Sequence, residues 1–376
     1  MLQTVRYTYC SGFMFDRIQN IQGVIGDNNI IINGDITVDS EVLTKVANQL
    51  LKTELNNLTT EAKEQMQRGV NEGVQSVLEQ IVSKSIESKL SEFSRPSTQF
   101  AFYMMLKGYS FAETIEQREL LVDAFIERIQ TNWDSSEKMI IDSALEVLPK
   151  LSPQALSTIG LLQIRHQLTN VQVGFMLHLY FANLTPLVEK MSLVNTLDIE
   201  YLKQERLIHQ LPGGMMSVSL EEILLTHYDL FFRHSLKEGV YDEYCRMHPE
   251  AREAVTDSPT RACMMWIDGT RNNETSFCCA NSNLLIETLK KRHQEYIIPH
   301  VEALKRMMPP FTKEEIRNYF LTLSPSWERL FRLFSTECFR MYTLSITGNY
   351  IGGKILAKVC HGEPLTLTDY KKNEFL

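Results

Sequence analysis

An apolar stripe about forty residues long constrains this chain more than any other feature. From Leu43 the apolar positions run through Val46, Leu50, Leu51, Leu55, Leu58, Ala62, Met66, Val70, Val74, Val77, Leu78, Ile81 and Val82. The steps are mainly three and four, which places these side chains along one face of an α-helix. The segment therefore reads as one long amphipathic helix or two in series. Such a stripe has to be covered, either by the rest of the chain folding back or by a second copy. Gly69 and Gly73 sit four apart within it. Each costs about 1 kcal/mol against Ala inside a helix. They mark either a kink or loop between two helices, or a place where another helix comes close.

The residues before the stripe have a different grammar. Ile18 to Ile25 is followed by Gly26-Asp27-Asn28-Asn29, then Ile30-Ile31-Ile32, Asn33-Gly34-Asp35 and Ile36-Thr37-Val38. Short β-branched runs alternating with Gly, Asn and Asp spell a β-hairpin or meander, with Asn33-Gly34 as the strongest turn dipeptide. Two short strands are marginal alone in water, and their edges invite another edge. Ile30, Ile32, Ile36 and Val38 of the strands, with Leu43 and Leu50 of the helix, are the candidate self-association residues. A homo-oligomer joined strand beside strand and stripe against stripe is the expectation.

The remainder reads as helical, with Leu, Glu, Lys, Gln and Met dominating most windows. The fold class is mainly α: an N-terminal hairpin, a long amphipathic helix, a helical body and a C-terminal domain for which a winged-helix-like fold is one reading. Domains are expected at 1–96, 97–240, 241–283 and 284–376. Helices are expected over 99–107, 116–130, 137–147, 171–180, 192–209 and 220–236. Ser152-Pro153 looks like a cap that opens one more, and Asp268 to Asn273 like a hairpin turn. A long helix over 284–308 should break or kink at Pro299, and Thr312 with Glu315 fits a capping box.

Some of these blocks resemble an uncharacterised family of bacterial proteins of similar length. The resemblance rests on Gly26-Asp27-Asn28 with Asn33-Gly34-Asp35-Ile36 and the helix that follows. It also rests on Gln99-Phe100-Ala101-Phe102-Tyr103, Glu119-Leu120-Leu121-Val122-Asp123 and Val147-Leu148-Pro149-Lys150-Leu151-Ser152-Pro153. It implies a helical body behind a Gly-Asp-Asn leader and an association with bacterial stress and phage defence. It supplies no catalytic residues, and residues 241–279 depart from it.

Candidate chemistry is sparse. The net charge of −8 disfavours a general nucleic-acid binder, which needs a basic face. Seven Cys, an odd number, and no leader pattern in Met1 to Phe15 point to reduced thiols in a cytoplasm. No apolar run reaches the roughly 20 residues a membrane span needs. Cys245-x-x-His248 with Cys263 and Cys278 of the vicinal pair Cys278-Cys279 has the donor types for tetrahedral Zn²⁺. The second half of that set lacks a matching CxxC, so free thiols are the plainer reading and no cofactor is expected. His227 and His234 are seven apart on an expected helix, where a di-His site would need four. Asp27, Asn28, Asn29, Asn33 and Asp35 form turns rather than a calcium loop. No phosphate loop, no GxSxG elbow and no HExxH motif is present.

At the C-terminus, Tyr342-x-Leu344-Ser345-x-x-Gly348 resembles the end of a winged-helix wing. The helix before it mixes Arg329, Arg332 and Arg340 with Trp327, Phe331, Phe334 and Phe339, more apolar than a groove reader should be. The function these features favour is a non-enzymatic, self-associating scaffold or sensor with protein partners and no membrane or nucleic-acid role. A nucleic-acid-associated regulator with a winged-helix-like domain and an unrecognised hydrolase are the alternatives.

Overall fold

The computed structural model describes residues 25–26, 29–30, 40–52, 56, 58–131, 136–169, 177–190, 196–211, 218–237, 239–251, 266–268, 274–277, 281–336 and 341–359. The fold is mainly α, and the chain divides into two compact units, Met1–Pro149 and Lys150–Leu376.

In the first unit, β1 (Ile25–Gly26) pairs antiparallel with β2 (Asn29–Ile30), Ile25 opposite Ile30 and Gly26 opposite Asn29. The described hairpin therefore turns after Gly26. Asn33-Gly34, Ile32, Ile36 and Val38 lie outside the described residues. Among the described elements the stripe runs along α1 (Ser40–Leu50) and α2 (Thr60–Ser83). Thr59 starts the second by accepting a hydrogen bond from the Ala62 N–H at 3.5 Å. Neither glycine kinks it, because α2 runs unbroken through both. A Cβ on Gly69 would stand 2.8 Å from the Ser110 Cα, and one on Gly73 would stand 3.0 Å from Leu106 Cδ2. The glycines let α3 (Pro96–Phe111) approach closely.

That packing corrects the reason given for stripe-to-stripe association. Met66, Val70, Val74, Val77 and Ile81 are buried against the chain's own α1 and α3, and Leu43 is only 2% exposed. Leu50 remains half-buried. The division expected after residue 96 also moves, since Pro96 is the first residue of a helix that lies along α2. A capping box between Thr114 and Gln117 opens α4 (Ile115–Gln130), and α5 (Ser136–Val147) completes the unit. Phe93, Phe102 and Phe125 meet at centroid distances of 5.2, 5.7 and 5.2 Å in its core. The buried Arg128 is satisfied by Asp142 and Thr98.

The second unit is built around α6 (Pro153–Thr169), buried on almost every side, which is how a central helix must read. Around it come α7 (Leu177–Lys190), α8 (Thr196–Gln204), β3 (Ile208–Gln210) and α9 (Leu220–His227). Then follow α10 (Val240–Met247), the hairpin β4 (Trp266–Asp268) and β5 (Glu274–Ser276), α11 (Ser282–Lys291) and α12 (Ile298–Met307). Last are α13 (Lys313–Leu323), α14 (Trp327–Ser335), β6 (Tyr342–Leu344) and α15 (Ile346–Val359). The Thr312–Glu315 capping box and the hairpin across residues 268–274 form as expected.

Three helix expectations are corrected. The helix expected to reach His209 stops at Gln204, and the one expected over 220–236 stops at His227, so His227 and His234 share no helix. The 284–308 segment breaks after Lys291, ahead of Pro299, where His293 takes a left-handed φ of 57°. The wing-like residues have local duties. β6 pairs with the distant β3, Ile208 opposite Leu344. Ser345 Oγ caps the Gly348 N–H at 3.1 Å, and a side chain on Gly348 would collide with the Leu207 carbonyl. No described helix is long and apolar enough to cross a membrane.

Candidate metal centre

One region of the second unit has its own apolar core, in which Tyr241, Tyr244, Cys245, Ala251, Val301 and Leu304 pack together. It brings α10 against α12. Tyr241, Tyr244 and Cys245 are the buried face of α10, at helical spacing. His248 ends the helix, because a residue before proline is driven out of the α conformation. Its φ of −132° and ψ of 77° lie outside the helical region, and its N–H still closes the last turn on the Tyr244 carbonyl at 2.9 Å. Pro249, Glu250 and Ala251 then begin a new helical turn, in which Ala251 is buried and donates its N–H to the His248 carbonyl. On the other side Pro299 opens α12, which fixes His300 in its first turn.

These elements converge three donors. His248, Glu250 and His300 each offer one atom, and those atoms lie within 4.8 Å of one another. His300 Nε2 is 3.1 Å and His248 Nδ1 is 3.8 Å from Glu250 Oε1. The two imidazole centroids are 5.2 Å apart. Tyr244 lies beside both, its ring 4.7 Å from that of His248 and its hydroxyl 3.0 Å from His300 Nδ1. Burial raises the Tyr244 hydroxyl pKa above its ordinary value, with the Cys245 thiol and the Glu250 carboxylate adding to the effect, so at neutral pH it is a phenol that can donate or accept. The side chain of His300 is 14% exposed, while His248 and Glu250 are each 44% exposed and open the cluster to solvent.

Of the metal candidates expected from the sequence that are described, His248 belongs to this cluster and Cys245 does not. Cys245 lies on the apolar side of α10, 3% exposed, outside the group of donors. Cys263 and Cys278 lie outside the described residues. Glu250 and His300 were missed. His248-Pro249-Glu250 does signal two donors flanking a turn, but His300 is far along the chain and nothing local ties it to them. Among the self-association candidates, Ile30 sits in β2 and Leu43 in the first unit's own core.

A family model with the description ":-like" matches residues 38–368. The chain belongs to that family. The match covers most of both units and includes His248, Glu250 and His300, while β1 and β2 lie before its first residue. No curated protein and no solved structure matches the chain.

Proposed function

We propose that the protein is a non-enzymatic interaction protein of a bacterial cytoplasm, a scaffold or sensor that self-associates through its N-terminal strands. The hairpin carries this reading. β1 and β2 pair over two residues each, and among the described residues no third strand joins them. The edge of a short two-stranded hairpin is the feature that strand addition exploits. The first unit also exposes Phe100 and Met139, with Phe111 and Ile115 at the turn from α3 to α4. A shallow cavity of about 340 Å³ beside Phe100, Met104 and Leu145 is edged by Asp142 and Glu146. Apolar groups rimmed by polar ones are the anatomy of a protein-binding surface. A groove reader is less well supported, because α14 turns Trp327, Leu330, Phe331 and Phe334 into the core.

The test compares the full-length protein with a variant lacking residues 1–38 by analytical ultracentrifugation. The truncated protein should keep its helical circular dichroism and sediment as a smaller species. A full-length protein that is already monomeric at working concentration overturns the proposal.

A further inference from the structure

We infer that His248, Glu250 and His300 form a binding site for a divalent transition-metal ion, and that the ion is Zn²⁺. The inference is independent of self-association. Two imidazoles and one carboxylate are a zinc ligand set, with the fourth tetrahedral position left to water or an outside ligand. Zinc–ligand bonds of about 2.0–2.1 Å put neighbouring donors in a tetrahedron about 3.3 Å apart. The observed 3.1 and 3.8 Å bracket that separation for the two pairs that include Glu250, and the two histidine donors lie within 4.8 Å of each other, so side-chain rotations that draw the imidazoles together would complete the site. A set with two nitrogen donors disfavours Ca²⁺ and Mg²⁺, which prefer oxygen.

Tyr244 supplies the second observation. A histidine that ligates through one ring nitrogen characteristically has its other N–H held by a hydrogen bond. The Tyr244 hydroxyl is within hydrogen-bond distance of His300 Nδ1, leaving Nε2 as the atom aimed at Glu250. Without metal, the hydroxyl donates to Nδ1 and Nε2–H donates to the carboxylate. With zinc, Nε2 presents its lone pair to the ion and Nδ1–H donates to the hydroxyl oxygen. The donors reside on two elements anchored in one apolar core by Tyr244, Ala251, Val301 and Leu304. Zinc would therefore lock the end of α10 to the start of α12. The exposed sides of His248 and Glu250 leave the fourth position accessible to a small anion or a carboxylate of a partner.

The experiment is titration of the reduced, full-length protein with ZnCl₂, alongside Co²⁺ as a spectroscopic probe. One equivalent of Zn²⁺ should bind. Co²⁺ should give visible d–d bands of a four-coordinate site without a thiolate charge-transfer band. His300→Ala and Glu250→Gln should each weaken binding at least tenfold, and Tyr244→Phe about tenfold. Cys245→Ser and His234→Ala should leave affinity unchanged. Glu250→Gln is half exposed and folds whether or not His300→Ala does, which circular dichroism checks. No zinc uptake means that the cluster is only an ion pair beside neighbouring rings, and overturns the inference. Equal affinity in Glu250→Gln, or a thiolate band, places the metal elsewhere and overturns it as well.

Discussion

Asp229 shows how much of this fold hangs on single polar groups. Its carboxylate accepts the Ser282 N–H at 2.8 Å, the Ser282 hydroxyl at 2.6 Å and an ion pair from Lys305 at 2.8 Å. The start of α11 is thereby tied to α12. Arg233 works beside it, donating to the Asp229, Lys305 and Met308 carbonyls and so satisfying the last turn of α12, whose first turn holds His300. Burial pushes the Asp229 carboxyl upward, but the hydrogen bonds from Lys305 and Ser282 outweigh it and hold its pKa below the usual carboxylate value. A depressed carboxylate contributes stability above its unfolded pKa, near 4, and loses it as pH falls through the folded value. Asp229→Asn should therefore cost about 2–3 kcal/mol at pH 7, with the gap to the native protein narrowing toward pH 3. Urea midpoints at the two pH values check this. A gap that does not change with pH would mean that shape, not charge, is what the site requires.

At the scale of elements, the decisive pair is α2 on α3. Helices in contact normally stand 8–10 Å apart, set by the side chains between them. At Gly69 the space a side chain would need is filled by Ser110, its Cα 2.8 Å and its Oγ and Cβ 3.0 and 3.1 Å from where a Cβ would stand. Gly69→Ala would gain about 1 kcal/mol of helix propensity. It would also force a methyl group against backbone that cannot rotate away, which costs about 1–3 kcal/mol. The variant should be less stable overall. Gly73→Ala should be milder, because the nearest atom there is the movable end of Leu106. Chemical denaturation of both variants is the measurement. A more stable Gly69→Ala would show that the helix pair yields easily and that the glycines are incidental.

At the scale of the molecule, two compact units with separate cores should not unfold as one. Differential scanning calorimetry is expected to give a calorimetric enthalpy larger than the van't Hoff enthalpy, or two resolved transitions. A single two-state transition would show that the units are thermodynamically one domain. Zinc should raise only the transition of the second unit, since ligand binding stabilises the state that binds it.

The predominance of helix, the two-helix option for the stripe, the capping box at Thr312 and the hairpin after Asp268 were legible because each signal lies within a few residues of its effect. A cap needs an oxygen three residues from an N–H, and a stripe needs only its spacing. Other features depended on what arrived from far away in the chain. The sequence offered two readings of Gly69 and Gly73, and only the approach of α3 selected between them. The apolar stripe demanded a cover without naming it, and the chain's own α1 and α3 provide it. The early ends of α8 and α9 follow tertiary demands that override helical periodicity: β3 is recruited to pair with β6, and the backbone at Phe232, Arg233 and His234 pairs with that at Pro309, Pro310 and Phe311. Least legible was the cluster of His248, Glu250 and His300. Spacing along a chain encodes neighbours only within an element, and these donors meet because α10 and α12 share one apolar core. The reading that joined Cys245 and His248 took two residues three apart as one site, while the helix turned one of them into the core and the other toward a histidine on a different element.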